Sequence, residues 1–490
     1  MNVNPITRLD YPDLDVIRVE DTYYMVSTTM HFMPGCEILQ SFDLVHWEHV
    51  TYVYETLDHT DAQQLKSGQN IYGQGMWAAS LRYHEGRFYI CFVANDTRKT
   101  YLYTSEKIDG PWKKQLIEGF YHDGSLLFDE DGRNYIVYGN DEIWITELNE
   151  DLTAPKKDGL HRLLVSDHKN PELGYEGSHI QKINGYYYIF LVHSLRDRWM
   201  RTEACFYSDS LEGEFTGGDV LCDDRGYCGQ GVAQGGIVDT PDGKWYAMLF
   251  QDSGAVGRIP ILLPVTWKDH FPFFGQNGHV PEEIEVHSTR PGYIYQPLVG
   301  SDDFCNGLLP RWQFNHDPDP RYYHLDALQG TYTITTREVC TELTQAVNTL
   351  TQRMSYPSCA AEVTVDASAL KEGDVAGLCA LQSCYAAVGI TKHHGKYEVL
   401  MLDKKEDGIL DMTEGTVVES HQMDFRLEAD FCNMKDEARC YYRVNKGDWL
   451  PIGNVHKLYF KLDHFTGCRF GLFCYAAEET GGSACFRDFK

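Results

Sequence analysis

The sequence predicts an all-β protein with two parts, a five-bladed β-propeller followed by a concanavalin A-like β-sandwich with a jelly-roll path. Three observations predict this fold. A turn of the type Asp/Asn/Glu-Gly-x-x-Tyr, or a close variant, recurs five times in the first half of the chain. Aromatic residues make up 13% of the 490 residues, which favours strands, and runs with helical periodicity are scarce. Repeats of this kind are typical of propeller blades.

The five turns each open an aromatic strand, and together they define the blades. Their tyrosines are separated by 65, 46, 53 and 58 residues and are Tyr24, Tyr89, Tyr135, Tyr188 and Tyr246. Short strands separated by Gly, Asn and Asp turns continue from Pro12 to about Phe274. We therefore expect four-stranded blades throughout this region.

The blade spacing ends near the turn-rich segment His287–Gly300, which we interpret as the boundary between two domains. Beyond Asp302 a second set of strands begins, with examples at Gly330–Thr336 and Cys359–Val365. Many short, evenly spaced strands in about 190 residues are typical of a two-sheet sandwich. We predict a propeller domain over residues 1–297 and a sandwich domain over residues 303–490.

The charge of the chain restricts its partners. Lys and Arg total 43 and Asp and Glu total 72, a net charge of −29. Long-range repulsion makes nucleic acid, an anionic membrane and a polyanionic glycan poor partners, so a small neutral substrate is expected. No stretch has the roughly 18 to 20 apolar residues of a membrane span, and the first residues lack a signal-peptide pattern. These features predict a cytoplasmic protein.

The 15 cysteines are odd in number and scattered without a Cys-x-x-Cys pair, and many lie in apolar strand-like runs. In a reducing compartment such residues are small buried hydrophobic groups. We therefore expect free thiols rather than disulfides or a metal cluster.

One position in each blade carries a side chain suited to a binding site. Counting back nine residues from four turn glycines, and eight from Asp21, gives the series Asp13, Trp77, Asp123, Glu176 and Gln234. If this position lies on the innermost strand of every blade, the five side chains converge on the central channel. Three of the five are carboxylic acids, which indicates an active site.

Glycoside hydrolysis needs two carboxyl groups in different states, one protonated and one ionised, and a third anion nearby raises the pKa of the protonated one. Asp13, Asp123 and Glu176 fit these three roles. Asp15 shares a strand face with Asp13, and its role is left open between function and structure. Trp77 offers a flat apolar face to a sugar ring. Arg258 lies beside an apolar run and is expected to pair with an acid or bind a sugar hydroxyl.

These segments resemble glycoside hydrolase family 43 along nearly the whole chain. The propeller motifs are similar to Tyr11–Val19, Trp77–Ser80, Asp123–Asp129 and Glu176–His179. The sandwich resembles that of family β-xylosidases at Arg311–Asn315, Gly373–Leu378 and His464–Phe473. The resemblance implies an inverting hydrolase in which Asp13 is the general base, Glu176 the general acid and Asp123 the group that raises the pKa of the acid. It also implies that Arg258 contacts the sugar.

The chain departs from the family pattern at several positions. Leu14 replaces a proline of the first motif, and Gln234 replaces a histidine that often helps to hold a calcium ion in the channel. We therefore expect no required cofactor and no catalytic metal, with structural calcium in the channel doubtful. Met30, His31 and Phe32 follow the first blade where the family lines its sugar pocket. We assign these three residues to substrate binding together with Trp77, Arg258 and Gln234.

The resulting hypothesis is an exo-acting inverting hydrolase that releases terminal α-L-arabinofuranosyl or β-D-xylosyl residues from hemicellulose-derived oligosaccharides. A glycan-binding propeller without hydrolysis is one alternative. An endo-arabinanase or a fructan-acting propeller hydrolase is another, although the chain lacks the Asn-Asp-Pro and Arg-Asp-Pro motifs of the latter. The sandwich is expected to wall the pocket, bind glycan or mediate homo-oligomerisation.

Overall fold

The structure is a computed structural model that describes residues 2–413 and 415–490. It confirms the predicted all-β architecture. Within those two ranges there is no α-helix, and the helical elements are the 3₁₀ turns Lys66–Gly68, Gly254–Val256, Leu343–Gln345 and Cys432–Met434. None of the helical turns in the described part of the chain is long and apolar enough to cross a membrane.

Five four-stranded antiparallel sheets form the blades of the propeller. Blade 1 consists of Asp15–Val19, Thr22–Val26, Gly35–Ser41 and Glu48–Tyr54, and blade 2 of Met76–His84, Arg87–Ala94, Lys99–Ser105 and Lys113–Ile117. Blade 3 consists of Ser125–Phe128, Asn134–Asn140, Glu142–Leu148 and His161–Ser166. Blade 4 consists of Glu176–Ile183, Tyr186–Ser194, Arg201–Ser208 and Thr216–Leu221, and blade 5 of Val232–Asp239, Trp245–Asp252, Arg258–Lys268 and Phe271–Phe274. The first strands of the five blades contact one another in a closed ring, so they are the innermost strands.

The predicted turns join the first and second strands of each blade. Their glycines have a left-handed backbone, with φ of 79° at Gly86, 81° at Gly132, 85° at Gly185 and 80° at Gly243. A side chain is disfavoured in this conformation, which is why glycine recurs at the same place in successive blades.

The two ends of the propeller are joined near the N-terminus. The short strand Asn2–Val3 pairs with Glu283–Ile284. The side chain of Asn4 donates to the Leu262 carbonyl (2.7 Å) and accepts from the Leu262 amide (3.0 Å), so it binds the backbone of blade 5. The beginning of the propeller is therefore fastened to its last blade.

Two large antiparallel sheets pack into a sandwich after the propeller. The nine-stranded sheet contains Phe32–Met33, Gln313–Asn315, Leu350–Arg353, Arg469–Tyr475, Val375–Leu381, Ala386–His393, Lys396–Lys404, Leu410–Met412 and Thr416–Val418. The seven-stranded sheet contains Tyr323–Asp326, Thr331–Thr335, Ser483–Arg487, Ser358–Asp366, Gln422–Asp430, Glu437–Val444 and Leu450–Lys457. Their shared core is apolar and includes Trp312, Val388, Phe425, Leu472 and Phe486.

One strand of the nine-stranded sheet comes from the propeller part of the chain. Phe32–Met33 pairs with Gln313–Asn315, with Met33 opposite Phe314 and Phe32 opposite Asn315. A buried ion pair lies nearby, where the Arg353 guanidinium of the sandwich is 2.8 Å from Glu37 of blade 1. Propeller and sandwich are therefore joined by backbone pairing and by a buried charge pair.

All 15 cysteines have free thiols, and nine of them are buried. Burial raises the pKa of Cys91 to about 12, which keeps this thiol protonated. The buried cysteines therefore pack as small apolar side chains.

Candidate active site

A cavity of about 640 Å³ opens above the central channel, between the propeller and one edge of the sandwich. Residues from all five blades and from the sandwich line it. The lining includes Asp13, Trp77, His122, Asp123, Asn140, Glu176, Trp199, Arg201, Gln234, Asp252, Arg258, Phe460, Leu462 and Phe465. The structure thus brings all five residues of the blade series to one cavity.

Unusual backbone conformations at the blade entrances direct these side chains into the cavity. Asp13, Asp123 and Gln234 have positive φ values of 50°, 49° and 65°. The innermost strands of blades 2, 4 and 5 also carry β-bulges near Trp77, Glu176 and Gln234. Left-handed non-glycine residues and bulges both concentrate at functional sites, where they redirect a side chain.

Asp13 is buried, and each of its two carboxylate oxygens accepts a hydrogen bond. Arg258 donates to Oδ1 at 2.9 Å and the Thr28 hydroxyl donates to Oδ2 at 2.7 Å. The guanidinium of Arg258 also lies 4.4 Å from the ring centre of Phe465, a sandwich residue. The sequence predicts that Arg258 pairs with an acid, and the structure identifies that acid as Asp13.

Asp123 lies beside the entrance to blade 4, where its Oδ2 accepts a hydrogen bond of 2.9 Å from the Gly177 amide. Gly177 has φ of 66°, and a Cβ there would lie 2.7 Å from the side chain of Gln234, so glycine is required at this close approach. Burial raises the pKa of Asp123 to about 6, with a smaller contribution from the negative charges of Glu176 and Asp13.

Glu176 is the least buried of the three acids and accepts a 2.7 Å hydrogen bond from Asn140 at its Oε2. Asn140 ends the second strand of blade 3, so a neighbouring blade fixes the orientation of this carboxyl group. The sequence does not single out Asn140.

His122 lies between two of the acids, with Nε2 3.6 Å from Asp123 Oδ2 and 3.6 Å from Glu176 Oε2. The charge of Asp123 raises the pKa of His122 to about 9, against the effect of burial and with help from Glu176 and Asp13. The three groups are close enough for a divalent cation to bridge them. The protonated imidazole itself supplies positive charge at that place and has no free lone pair for a metal.

Trp77 and Gln234 complete the blade series. The indole of Trp77 lies 5.4 Å from the Phe465 ring and 6.2 Å from the His122 imidazole, between propeller and sandwich. Its Nε1 is buried without a hydrogen-bond partner. The backbone amide of Gln234 donates to Oε2 of the buried Glu203 carboxyl group at 2.7 Å, and burial raises the pKa of Glu203 well above its usual value.

Asp15 does not line the cavity; it accepts a hydrogen bond from Arg82 (2.7 Å) and approaches His179 (3.3 Å). Burial opposes its ionisation, but Arg82 and His179 outweigh burial and hold the pKa of Asp15 at about 2. These contacts link blades 1, 2 and 4. Asp15 is therefore a structural anion of the channel.

The resemblance associates a channel calcium ion with the blade 5 position that Gln234 occupies, and the channel beside Gln234 is narrow. The cavity between Asp13, Asp123, His179 and Gln234 measures about 10 Å³, which is room for about one water molecule. Calcium takes six to eight oxygen ligands. The residues present do not fit a hydrated calcium ion at this place, and no step of the chemistry below uses a metal.

The assignment of Met30, His31 and Phe32 to the sugar pocket is corrected by the structure, because none of the three lines the cavity. Met30 is buried and its backbone pairs with Met76. His31 is fully buried against Tyr72, His316 and His464, with ring centres 4.8 to 5.0 Å away. Phe32 belongs to the sandwich sheet. Pairing of this segment with the sandwich turns it away from the channel.

Sequence reasoning did not identify His122, Trp199 or Arg201, or the lining residues Phe460, Leu462 and Phe465 of the sandwich. His122 had a usable signal, because it immediately precedes Asp123 in the chain. The others have no counterpart in the blade spacing. One of the roles considered for the sandwich, a wall of the pocket, is confirmed by these contacts.

Comparison with known proteins finds relatives with glycosidase names over most of the chain. A "Beta-xylosidase" of Formosa agariphila is 26% identical and aligns over 98% of this chain and 88% of its own length. A "Non-reducing end alpha-L-arabinofuranosidase" of Bacteroides ovatus is 24% identical, over 84% of this chain and 79% of its own. A solved structure described as "Bifunctional GH43-CE" from Bacteroides eggerthii is 42% identical, with a TM-score of 0.93. It covers this whole chain, which spans 63% of that protein.

Two family models match the chain in succession. Residues 301–490 match the model described as "Beta xylosidase C-terminal Concanavalin A-like domain", which confirms the predicted sandwich type. Residues 3–272 match the model "Glycosyl hydrolases family 43". More than half of the chain thus matches the family model, so this protein is a member of glycosyl hydrolase family 43, as the motifs around its three acids predict.

Proposed function

We propose that this hydrolase removes single terminal pentoses, α-L-arabinofuranose or β-D-xylose, from short hemicellulose-derived oligosaccharides with inversion at the anomeric carbon. The observation that carries the proposal is the meeting of Asp13, Asp123 and Glu176 in one cavity that Phe465 of the sandwich walls. A walled cavity accommodates the end of a chain, whereas an endo-acting enzyme needs an open groove. The xylosidase and arabinofuranosidase names of the relatives support the choice of sugars.

In the proposed mechanism, Asp13 accepts a proton from a water molecule whose oxygen attacks the anomeric carbon. Glu176 donates a proton to the glycosidic oxygen as the bond to the leaving sugar breaks. An inverting reaction needs room for that water, so we expect roughly 6.5 to 9.5 Å between the two carboxyl groups in the complex. Arg258 holds Asp13 in place, and Asp123 acts on the protonation of Glu176 through its charge.

Removal of the general acid gives the first test. Wild type and Glu176→Ala are assayed with p-nitrophenyl α-L-arabinofuranoside and β-D-xylopyranoside, and with an unactivated oligosaccharide of the same sugar. We expect kcat to fall by about 10² to 10⁴-fold on the oligosaccharide, and less on the aryl glycosides, because p-nitrophenolate leaves with little protonation. NMR of the first product should show the inverted anomer.

The ratio of kcat/KM for the two aryl glycosides identifies the preferred sugar. If the wild-type protein hydrolyses none of these substrates but binds pentose oligosaccharides, the glycan-binding alternative replaces the proposal. If Glu176→Ala keeps wild-type kcat on the oligosaccharide, Glu176 is not the acid. Cytoplasmic location and homo-oligomerisation remain predictions from the sequence.

His122 provides a second prediction, on the pH dependence of activity. His122 is positively charged below about pH 9 and lowers the pKa of Asp123, whose value is about 6. In His122→Gln this charge is absent, so Asp123 holds its proton to higher pH. We expect the acidic limb of the kcat/KM profile to move to higher pH. His46→Gln, which changes an exposed histidine remote from the cavity lining, is the control and should leave the profile in place. An unchanged acidic limb in His122→Gln contradicts the prediction.

A further inference from the structure

A pair of side chains on the rim of the catalytic cavity has no part in the mechanism above. Trp199 and Arg201 both line the cavity and lie two residues apart, at the entrance to the third strand of blade 4. Their side chains are adjacent, with the Arg201 guanidinium carbon 5.3 Å from the Trp199 ring centre, and Met200 between them is buried. Trp199 is 43% exposed, although it is a large apolar side chain.

Arg201 is only 6% exposed, yet one of its donors has no acceptor. Its Nε donates to Asp252 Oδ2 at 2.9 Å, whereas NH1 is buried without a hydrogen-bond partner. Its guanidinium carbon lies 5.3 Å from the ring centre of Trp199 and 5.3 Å from that of Phe250, so two aromatic rings fix its plane. A buried donor without an acceptor in a cavity wall is a place where a ligand oxygen completes the hydrogen bonding.

We propose that Trp199 and Arg201 form the binding site for the leaving sugar, with the ring of a neutral pentose against the indole and a hydroxyl oxygen accepting from Arg201 NH1. The inference rests on the proposed function. Its location follows from Glu176, which must contact the glycosidic oxygen and belongs to blade 4, as do Trp199 and Arg201. Asp13, which accepts the proton of the attacking water, lies at the entrance to blade 1.

The charges at this site select a neutral ligand over an acidic one. Asp252 already neutralises the guanidinium of Arg201, and Asp13, which acts as a base, adds negative charge nearby. A uronic acid carboxylate would be repelled by Asp252 and Asp13, whereas a hydroxyl group gains a charge-assisted hydrogen bond at no such cost. The site therefore takes an undecorated xylose or arabinose unit.

The test compares substrates with and without a leaving sugar. The glycosyl fluoride of the preferred pentose has a leaving group that cannot reach Trp199, whereas the corresponding disaccharide places a sugar there. In Trp199→Ala and in Arg201→Lys, we expect the ratio of kcat/KM for the disaccharide to that for the fluoride to fall at least tenfold. Trp199→Phe, which keeps a flat ring, should retain most of the ratio.

Tyr83→Ala is the matched control, because Tyr83 is 45% exposed and does not line the catalytic cavity. This variant should have the wild-type kcat/KM for both the fluoride and the disaccharide. If Trp199→Ala and Arg201→Lys keep the wild-type ratio, either because neither kcat/KM changes or because both fall equally, the inference is overturned. The proposed function stands in both cases. If the wild-type protein hydrolyses neither the fluoride nor the disaccharide, the proposed function fails and the inference fails with it.

Discussion

Asp13→Asn is expected to lower kcat by about 10² to 10⁴-fold on every substrate, including the aryl glycosides. The amide is nearly the same size as the carboxylate, and its oxygen can still accept the hydrogen bond from Arg258 while its NH2 group donates to the Thr28 hydroxyl, but it cannot take a proton from water. Because the lost step is activation of the nucleophile, the leaving group should not change the size of the effect. Steady-state kinetics on an aryl glycoside and on an oligosaccharide measure both points.

Two further measurements make this prediction specific. Azide is a nucleophile that needs no deprotonation, so it should restore turnover in Asp13→Asn and give a glycosyl azide of inverted configuration. Asp21→Asn changes an exposed aspartate in the blade 1 turn, paired with Arg290, and should retain wild-type kinetics. Wild-type kcat in Asp13→Asn, or loss of activity confined to poor leaving groups, would assign Asp13 a role other than general base.

Arg353→Met is expected to reduce the free energy of unfolding by about 3 to 5 kcal/mol. Arg353 bonds Glu37 (2.8 Å) and the Asp10 carbonyl (3.0 Å), and its guanidinium lies 4.1 Å from the ring centre of Tyr11. The variant leaves the Glu37 carboxylate buried without its partner. Urea unfolding at neutral pH measures the loss. Arg321→Met removes an exposed ion pair with Asp319 and should change stability by at most about 1 kcal/mol.

The pH dependence of this loss follows from Glu37. Burial opposes the ionisation of Glu37, but Arg353 and His49 outweigh it and lower the pKa of Glu37 to about 2. A carboxyl group with a lowered pKa stabilises the fold above its unfolded pKa, and this contribution disappears as pH falls towards 2. The difference between wild type and Arg353→Met should therefore shrink below about pH 4.5. The double variant Glu37→Gln/Arg353→Met should recover part of the loss, and full additivity of the two single changes would contradict a coupled pair.

The positions of Asp13, Trp77, Asp123, Glu176 and Gln234 could be predicted because their signals are local. Four of the five blades have a left-handed glycine in the same turn, and the residue a fixed distance before that turn lies at the entrance to the innermost strand. Pairing of Arg258 with an acid is one of two roles that the sequence predicts, since a buried guanidinium beside an apolar run needs a partner, but only the structure identifies Asp13 as that acid. Fold and catalytic core are thus encoded by spacing within single blades.

The remaining parts of the site depend on contacts between distant segments. Phe32 and Met33 do not line the cavity, because they pair with Gln313–Asn315, about 280 positions later in the chain. Nothing in the local pattern of this segment distinguishes strand pairing from pocket lining. Phe465 reaches Arg258 only through the packing of the sandwich on the propeller, and Trp199 and Arg201 lie outside the blade series.

The shared sheet at Phe32–Met33 also bears on how this enzyme can be divided or recombined. Cutting the chain between propeller and sandwich would expose the edge of Gln313–Asn315, and it would deprive Arg258 of the aromatic ring that covers it. Exchange of the sandwich between family members would replace a wall of the sugar pocket along with the domain. Directed evolution of specificity should therefore mutate both domains together, because Arg258, which positions the proposed base, contacts Asp13 of the propeller and Phe465 of the sandwich.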